Sequence, residues 1–435
     1  MTLPLTAALA LLQTRGPTDE PSFLAFFVFT VVKMIILFTV YMVAAALLTL
    51  AERKISAWIQ GRHGPNRAGY GGLLQPVADG VKNFLKEESM PSAVNKPLFI
   101  LAPMIAFLPA MLVWAVIPFG AAWASPWGRL DLVFANLPVG FLFILAIASL
   151  GVYGIVLAGW SSNNKYALLG GIRSSAQMVS YEVSMGMSLI PVLLLTGNVT
   201  LTAVVNQQAA MGPNIALLTL SFVMFMISSF AETNRLPFDL PEAESELITG
   251  YHTEYSAMKF SLFFIAEYCN MFTASALMAT LFLGGYDIPF YAGDNVGPVS
   301  GLLVLLSMLI FFVKTLFFLF VFIWIRWTLP RFRYDQLMSL GWRVLIPLAL
   351  GYIVLVASVL LVLDMLGVPY NWMRGLALLG MNVVVMGLVF VFLDRGKVIS
   401  PAYGRISDEH LARLRRMSRP RSTSKATGLT PTAGD

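Results

Sequence analysis

The stretch that decides the fold is Leu98–Phe119, LFILAPMIAFLPAMLVWAVIPF, which runs for 22 residues without a charged side chain. The hydrocarbon core of a bilayer is about 30 Å thick, and a helix needs about 20 apolar residues to cross it. Runs of similar length recur along the chain, without the two-residue alternation that is typical of membrane barrel strands. The sequence therefore predicts an all-α fold, a polytopic transmembrane helical bundle.

Nine predicted membrane spans account for most of the chain. They are Phe23–Leu50, Leu98–Phe119, Val139–Trp160, Gln177–Leu195, Ile215–Phe230, Ala257–Leu283, Leu302–Trp324, Val344–Leu366 and Leu376–Leu393. Between the first two spans, residues 73–87 place apolar side chains on one face with a period of 3.6 residues. This pattern predicts an amphipathic helix in the membrane interface, which either frames an opening for a hydrophobic ligand or braces the bundle.

The composition excludes several classes of protein. The chain is 57% apolar and only 12% charged, whereas soluble domains are about 25% charged. One cysteine and three histidines are too few for the usual ligand sets of an iron–sulfur, zinc or haem site. The sequence contains neither the G-x-G-x-x-G motif of a dinucleotide-binding fold nor the G-x-x-x-x-G-K-[ST] motif of a phosphate-binding loop. We expect no metal site, no dinucleotide site and no nucleic-acid partner on this chain.

The distribution of cations predicts the orientation in the membrane. Of 29 Lys and Arg residues, 23 fall on one side of the nine predicted spans and three on the other. Loops rich in Lys and Arg stay in the cytoplasm, so we expect the N-terminus outside and the C-terminus inside a cell membrane. The predicted organisation is an N-terminal extension (1–22), a bundle core (23–366), an additional ninth span (367–395) and a basic, disordered tail (396–435).

The fifth loop carries an unusual concentration of acid. Between residues 232 and 254, six carboxylates accompany a single cation, Arg235. The residues from Asp239 to Glu242 resemble a helix start, in which Glu242 and Glu246 would share one face and repel. A solvated acidic surface is the simplest explanation of such a run, but the interleaved apolar residues favour a half-buried carboxylate cluster.

Four ionisable residues lie well inside predicted spans, away from their ends: Glu182, Glu267, Lys33 and Lys314. A charge in the bilayer interior costs at least about 2.5 kcal/mol, so such residues usually face the bundle interior and mark an ion pathway. We predict this role for the two glutamates. For the two lysines, a structural ion pair fits the sequence equally well.

Four stretches in a fixed order identify a resemblance. They are AERKISAWIQGRHGPNRAGYGGLLQPVADGVKNFLKEE (51–88), GGIRSSAQMVSYEV (170–183), AETNRLPFDLPEAESELITGYHTEYS (231–256) with FFIAEY (263–268), and TLPRFRYDQLM (328–338). They resemble the quinone-site membrane subunit of respiratory complex I, NADH:quinone oxidoreductase, a family with bacterial and mitochondrial members. The resemblance covers eight spans, and the ninth span and the tail depart from it.

The resemblance implies one subunit of a proton-translocating enzyme complex, without catalytic activity of its own. Its substrate would be a quinone, ubiquinone or menaquinone, and no cofactor would be covalently bound. FMN and iron–sulfur clusters would lie on partner subunits. The implied partners are the hydrophilic quinone-module subunits, the small and antiporter-like membrane subunits, and the lipid bilayer.

The resemblance also implies roles for individual residues. The membrane mouth of a quinone tunnel would be lined by Arg53, Arg62, Asp79, Phe84 and Leu85, although Arg62 could instead meet lipid headgroups. A proton or charge pathway would consist of Glu182, Glu232, Asp239, Glu242, Glu244, Glu246, Glu254 and Glu267. Arg173 and Arg235 would balance the charge of these acids.

Three other functions compete with this prediction. One is the related membrane subunit of energy-converting hydrogenases, in which protons accept the electrons. A second is a cation/proton antiporter, although the sequence lacks the inverted repeats that many transporters carry. The third is a passive scaffold in which every buried charge is a structural ion pair.

Overall fold

A computed structural model describes residues 23–125, 128–239, 250–289 and 298–394. The predicted extension (1–22) and tail (396–435) lie outside these ranges. The long helices are α1 (Phe23–Ile59), α3 (Lys96–Leu112), α4 (Gly140–Ser161), α5 (Lys165–Thr196), α9 (Ala257–Phe282), α10 (Gly301–Thr328), α12 (Ile346–Met365) and α13 (Trp372–Asp394). The shorter helices are α2 (Gln75–Leu85), α6 (Leu201–Met211), α7 (Asn214–Leu217), α8 (Thr219–Glu232) and α11 (Tyr334–Ser339).

Eight helices within the described ranges are long and apolar enough to cross a membrane. They coincide with eight of the predicted spans, so the prediction of an all-α polytopic bundle is confirmed. The predicted span Ile215–Phe230 was wrong as one uninterrupted helix. Leu218, with φ −132° and ψ 49°, separates α7 from α8. At 14 residues, α8 is about 21 Å long, which is shorter than a bilayer core.

Helix α5 packs against α4, α8 and α12. Glycines allow two backbone segments to pass close to each other at two places in the bundle. A Cβ atom on Gly154 of α4 would lie 2.7 Å from the backbone nitrogen of Ala106 in α3. A Cβ atom on Gly170 of α5 would lie 2.6 Å from the Cα atom of Gly250. Such glycines permit backbone contact between membrane helices, and here Gly170 brings the loop before α9 against α5.

The two lysines predicted inside spans bind loop backbone. Lys33 Nζ donates to the carbonyl oxygens of Asp131 and Val133 at 3.1 and 2.6 Å. Lys314 Nζ donates to two carbonyls of the loop after α9, each at 2.9 Å. Irregular backbone in a membrane protein requires such internal partners. These backbone hydrogen bonds support a structural role for both lysines. The carbonyls that Lys33 contacts directly follow a short antiparallel hairpin of β1 (Trp123–Ser125) and β2 (Gly128–Leu130).

Helix α2 confirms the predicted amphipathic helix between the first two spans. Its residues are all exposed or half-buried. The exposed fractions of Phe84 and Leu85 are 73% and 82%. Because large apolar side chains rarely face water in groups, this uncovered face is suited to lipid or to another apolar partner.

By internal contacts the chain divides into two units, Met1–Met386 and Gly387–Asp435. The first unit contains α1 to α12 and the first part of α13. The described part of the second unit is the last turns of α13. All contacts discussed below lie within the first unit.

Candidate functional site

A cavity of about 360 Å³ lies where the end of α10 meets the loop after α8, the residues just before α9 and the first half of α9. Its apolar wall is mainly aromatic, with Tyr251, Phe260, Phe263 and Phe264. Its ionisable lining residues are Arg235, Asp239, His252, Glu267, Arg326 and Arg331. A concave site in which polar groups converge beside apolar and aromatic side chains is a common form of a functional pocket.

Arg235 lies at the centre of the charged residues. Its side chain is buried, with 5% of the residue exposed. Nη1 lies 3.6 Å from Glu52 Oε2, and Nη2 lies 3.6 Å from Glu267 Oε2. The guanidinium carbon also lies 4.3 Å from the ring centre of Tyr268. A planar cation stacked on an aromatic ring and placed between two carboxylates joins α1, α9 and the α8–α9 loop.

Glu52 is the most enclosed acid of this group, with 5% exposed. Tyr268 Oη donates to its Oε2 atom at 2.6 Å, and Arg326 Nη1 pairs with its Oε1 atom. Two guanidinium groups and a phenol therefore surround one carboxylate. Buried charges persist when they are paired and hydrogen-bonded in this way. We call Glu52, Arg235, Glu267, Tyr268 and Arg326 the charge cluster.

The loop that carries Arg235 is held by a side chain of α5. Gln177 Nε2 donates to the carbonyl oxygens of Ala231 and Phe238 at 2.9 and 2.8 Å, and to Asn234 Oδ1 at 3.1 Å. Asn234, which has φ 48°, donates in turn to Ser174 Oγ at 3.0 Å. Asparagine tolerates this left-handed conformation better than most residues. The loop is thus tied to α5 on both sides of Arg235.

The predicted carboxylate pathway is only partly described. Asp239 lies at the cavity, 3.4 Å from Arg331 Nη2. Glu267 belongs to the charge cluster. Glu182 of α5 and Glu232 at the end of α8 are half-buried and interact electrostatically. Glu254 accepts a hydrogen bond from Asn164 Nδ2 at 2.8 Å. The remaining predicted members lie outside the described residues: Glu242, Glu244 and Glu246. The helix start predicted at 239–242 lies outside them too, apart from its first residue, Asp239.

The predicted quinone-mouth residues lie on α2, near the end of α1 and, for Arg62, in the loop between these two helices. Arg53 Nη1 and Asp79 Oδ2 form an ion pair at 2.6 Å. Arg62 is exposed, and its Nε atom donates to Gln60 Oε1 at 2.7 Å. Phe84 and Leu85 extend the uncovered apolar face at the end of α2. The structure therefore brings Arg53 and Asp79 together and leaves Arg62 on the surface.

Arg173, the second predicted charge-balancing residue, stacks on an aromatic ring. Its guanidinium carbon lies 4.8 Å from the ring centre of Tyr334, and Tyr334 Oη donates to the Arg173 carbonyl oxygen at 3.4 Å. The side chain thus connects α5 to α11. Its part in balancing the acids stays a prediction.

Sequence reasoning missed three members of the charge cluster: Glu52, Tyr268 and Arg326. Glu52 was visible as an acid at the end of an apolar helix, beside Arg53 and Lys54. Tyr268 follows Glu267 directly, and Arg326 ends α10. Glu52 and Arg326 lie near the ends of apolar segments, where charged residues are common, and Tyr268 lies within a span without a formal charge. Only the approach of α1, α9 and α10 shows that they share one site.

The cavity also contains a histidine whose titration gives a testable pH dependence. Burial lowers the pKa of His252 from 6.5 to about 4. At a pH between these two pKa values, the imidazole of His252 binds a proton in the unfolded segment but not in the folded one. Acidification therefore destabilises the folded structure around residues 250–256. We expect faster hydrogen exchange there at pH 5 than at pH 7.5, after correction for intrinsic rates.

The matched control uses the exposed His63. His252→Gln should reduce the pH effect on exchange at residues 250–256, and His63→Gln should leave it unchanged. Equal protection of this segment at both pH values in the unsubstituted protein would contradict the expectation.

Fold and cavity together define a polytopic membrane protein with a buried ionisable site, and comparison with known proteins gives its family. A family model described as NADH dehydrogenase matches residues 32–357. The chain belongs to this NADH dehydrogenase family.

Curated relatives agree with this assignment. The chain is 51% identical to an H-type NADH-quinone oxidoreductase subunit of Cytophaga hutchinsonii, over 74% of this chain and 94% of the relative. It is 52% identical to the corresponding NADH-quinone oxidoreductase subunit of Leptospira biflexa, over 75% and 93%. It is 49% identical to NADH-ubiquinone oxidoreductase chain 1 of Chondrus crispus, over 79% and 98%.

Proposed function

We propose that this chain is a membrane subunit of an NADH:quinone oxidoreductase and couples quinone reduction to proton translocation. The names of its relatives support the first part, and they favour it over a hydrogenase subunit or an independent antiporter. The observation that carries the second part is the charge cluster. It consists of buried and half-buried ionisable groups from three helices and one loop, beside a cavity with an aromatic wall.

The chemistry of quinone reduction suits such a cluster. A quinone that accepts two electrons also takes up two protons to become a quinol. Flavin and iron–sulfur clusters on partner subunits would supply the electrons. A change of charge near buried carboxylates acts through a lower effective dielectric constant than water, so it changes how neighbouring acids share protons. Glu267, Glu232 and Glu182 are suited to pass this change into the membrane.

We place the entrance for the quinone beside α2. The uncovered face with Phe84 and Leu85 offers apolar contact to an isoprenoid tail, whether the headgroup is a ubiquinone or a menaquinone. The Arg53–Asp79 pair at 2.6 Å connects α2 to α1 and presents polar groups at the same place. A mouth of this kind admits a molecule with a polar head and an apolar tail.

The proposed setting is a cell membrane, with the N-terminus outside and the C-terminus in the cytoplasm. The asymmetry of the loop cations supports this orientation. The charge cluster would then lie near the cytoplasmic side, where hydrophilic quinone-module subunits could cover the cavity. Small and antiporter-like membrane subunits would continue the proton pathway.

A substitution at Glu232 tests the coupling role. Glu232→Gln keeps the size of the side chain and removes its titration, so we expect proton pumping per NADH to fall while the complex still assembles. The measurement is the proton-to-NADH ratio of purified complex in proteoliposomes. The control is Asp131→Asn, which changes an exposed acid paired with Arg129. Normal pumping and turnover in the Glu232→Gln complex would refute a coupling role for this residue.

A further inference from the structure

The break between α7 and α8 leaves backbone groups that side chains satisfy. In an uninterrupted helix, the carbonyl of Ala216 would accept from the amide four residues ahead. Here Asn382 Nδ2 of α13 donates to Ala216 O at 3.0 Å and to Thr219 Oγ1 at 2.7 Å. Thr219 Oγ1 donates in turn to Ile215 O at 2.8 Å. Two carbonyls beside the break are therefore paired through one asparagine and one threonine.

The side chain of Asn382 faces these partners inside the protein and is shielded from the surroundings. It lies near the midpoint of α13 and is 3% exposed. Tyr352 Oη of α12 is 3.4 Å from its Oδ1 atom. A primary amide is costly in an apolar surrounding unless its donors and acceptor are paired. The three contacts satisfy the amide and connect α8, α12 and α13 at one point.

The start of α13 is fastened to the same bundle. A Cβ atom on Gly375 would lie 2.7 Å from the carbonyl oxygen of Met211, so α13 passes close to the end of α6. Arg374 Nη2 pairs with Asp364 Oδ1 and donates to Val368 O at 3.0 Å. These contacts set the register of α13 and hence the position of Asn382 beside the break.

Helix α8 leads from this break directly to the functional residues. Ser228 Oγ donates to Ser184 Oγ of α5 at 3.2 Å, Glu232 ends the helix, and Arg235 follows three residues later. A broken helix has fewer internal constraints on its axial position than a continuous one. The hydrogen bond from Asn382 to Thr219, at the start of α8, therefore influences the position of Glu232 at its end.

We propose that Asn382 is a positioning residue, through which α13 holds α8 and so sets the placement of Glu232 and Arg235. This inference rests on the proposed coupling role of those two residues. Helix α13 lies beyond residues 32–357, the range that the family model matches. The chain thus adds a helix outside that range and uses it to brace a broken helix inside it.

The test compares two variants of the full complex. Asn382→Leu removes the amide at similar size, and Val383→Leu changes an exposed neighbour on α13. An unpaired buried carbonyl shifts local equilibria by roughly 5- to 150-fold. We therefore expect the Asn382→Leu complex to pump fewer protons per NADH and to show a shifted pH profile of quinone reduction. The Val383→Leu complex should match the unsubstituted one in both measurements.

A normal pumping ratio and pH profile in an assembled Asn382→Leu complex would overturn the inference. If that variant does not assemble, Thr219→Val removes the partner hydroxyl and leaves α13 intact. A coupling defect in Thr219→Val then supports the inference, and normal coupling overturns it. Glu232→Gln separates the two proposals. A pumping defect in the Glu232→Gln complex, together with normal pumping in the Asn382→Leu complex, refutes only the positioning role of Asn382. Normal pumping in the Glu232→Gln complex refutes the coupling role on which the positioning role rests.

Discussion

Replacing Arg235 with methionine should have the largest effect of any single substitution in the described part of the chain. The change removes a buried cation that lies 3.6 Å from both Glu52 and Glu267. Breaking one side of a buried ion pair typically destabilises a protein by about 3–5 kcal/mol, because the remaining charge is uncompensated. We expect little assembled complex and no measurable quinone reductase activity. The measurement is the yield and turnover of the affinity-purified complex.

The control for this substitution is Arg129→Met. Arg129 pairs with Asp131 at 3.1 Å, but the two side chains are 53% and 49% exposed. Exposed pairs contribute only about 0–1 kcal/mol, so assembly and turnover should hardly change. Adding Glu267→Gln to Arg235→Met should recover part of the assembly, because it removes one uncompensated acid. Full assembly and turnover of Arg235→Met alone would show that the guanidinium does not hold the site.

Replacing Gln177 with methionine should have the second largest effect. The substitution keeps the volume of the side chain and removes an amide that donates to Ala231, Asn234 and Phe238. A buried acceptor left unpaired costs about 1–3 kcal/mol. We expect a lower melting temperature of the complex together with reduced turnover, because the loop that carries Arg235 loses its attachment to α5.

Ser175→Ala provides the comparison for Gln177→Met. Ser175 lies two residues earlier on α5, and its hydroxyl donates to the carbonyl of Ile172, one turn back in the same helix. Its removal should change melting and turnover little. A Gln177→Met complex that melts and turns over like the Ser175→Ala complex would contradict the proposed attachment.

The spans could be predicted from sequence because crossing a bilayer is a local requirement on length and apolarity. Leu98–Phe119 satisfies it without reference to any other segment. The segment 215–230 is also free of charged residues, although it is shorter at 16 residues, and its helix breaks at Leu218. That break depends on partners for the freed carbonyls, and Asn382 lies 166 positions from Ala216. No window of sequence contains both residues.

Some acids of the candidate site could be predicted from the sequence, but the residues with which they form ion pairs and hydrogen bonds could not. Arg235 and Glu267 stand out as ionisable residues in apolar or acidic surroundings. Glu52 did not, because an acid beside Arg53 at a helix end is already explained as interfacial. Its contacts with Tyr268 and Arg326 join residues 216 and 274 positions apart, which only the packing of α1, α9 and α10 reveals. The pathway roles of all eight predicted acids stay predictions, and three of them, Glu242, Glu244 and Glu246, lie outside the described residues.

Affinity purification of the gently solubilised chain through a C-terminal tag tests the proposed function most directly. We predict recovery of a large complex that contains flavin, iron–sulfur and antiporter-like subunits and that reduces quinone with NADH in an inhibitor-sensitive reaction. Arg235→Met, purified in the same way, should lack that activity. Recovery of the chain alone or as a small oligomer, with cation/proton exchange in vesicles and no NADH:quinone activity, would contradict the proposal and identify an independent transporter.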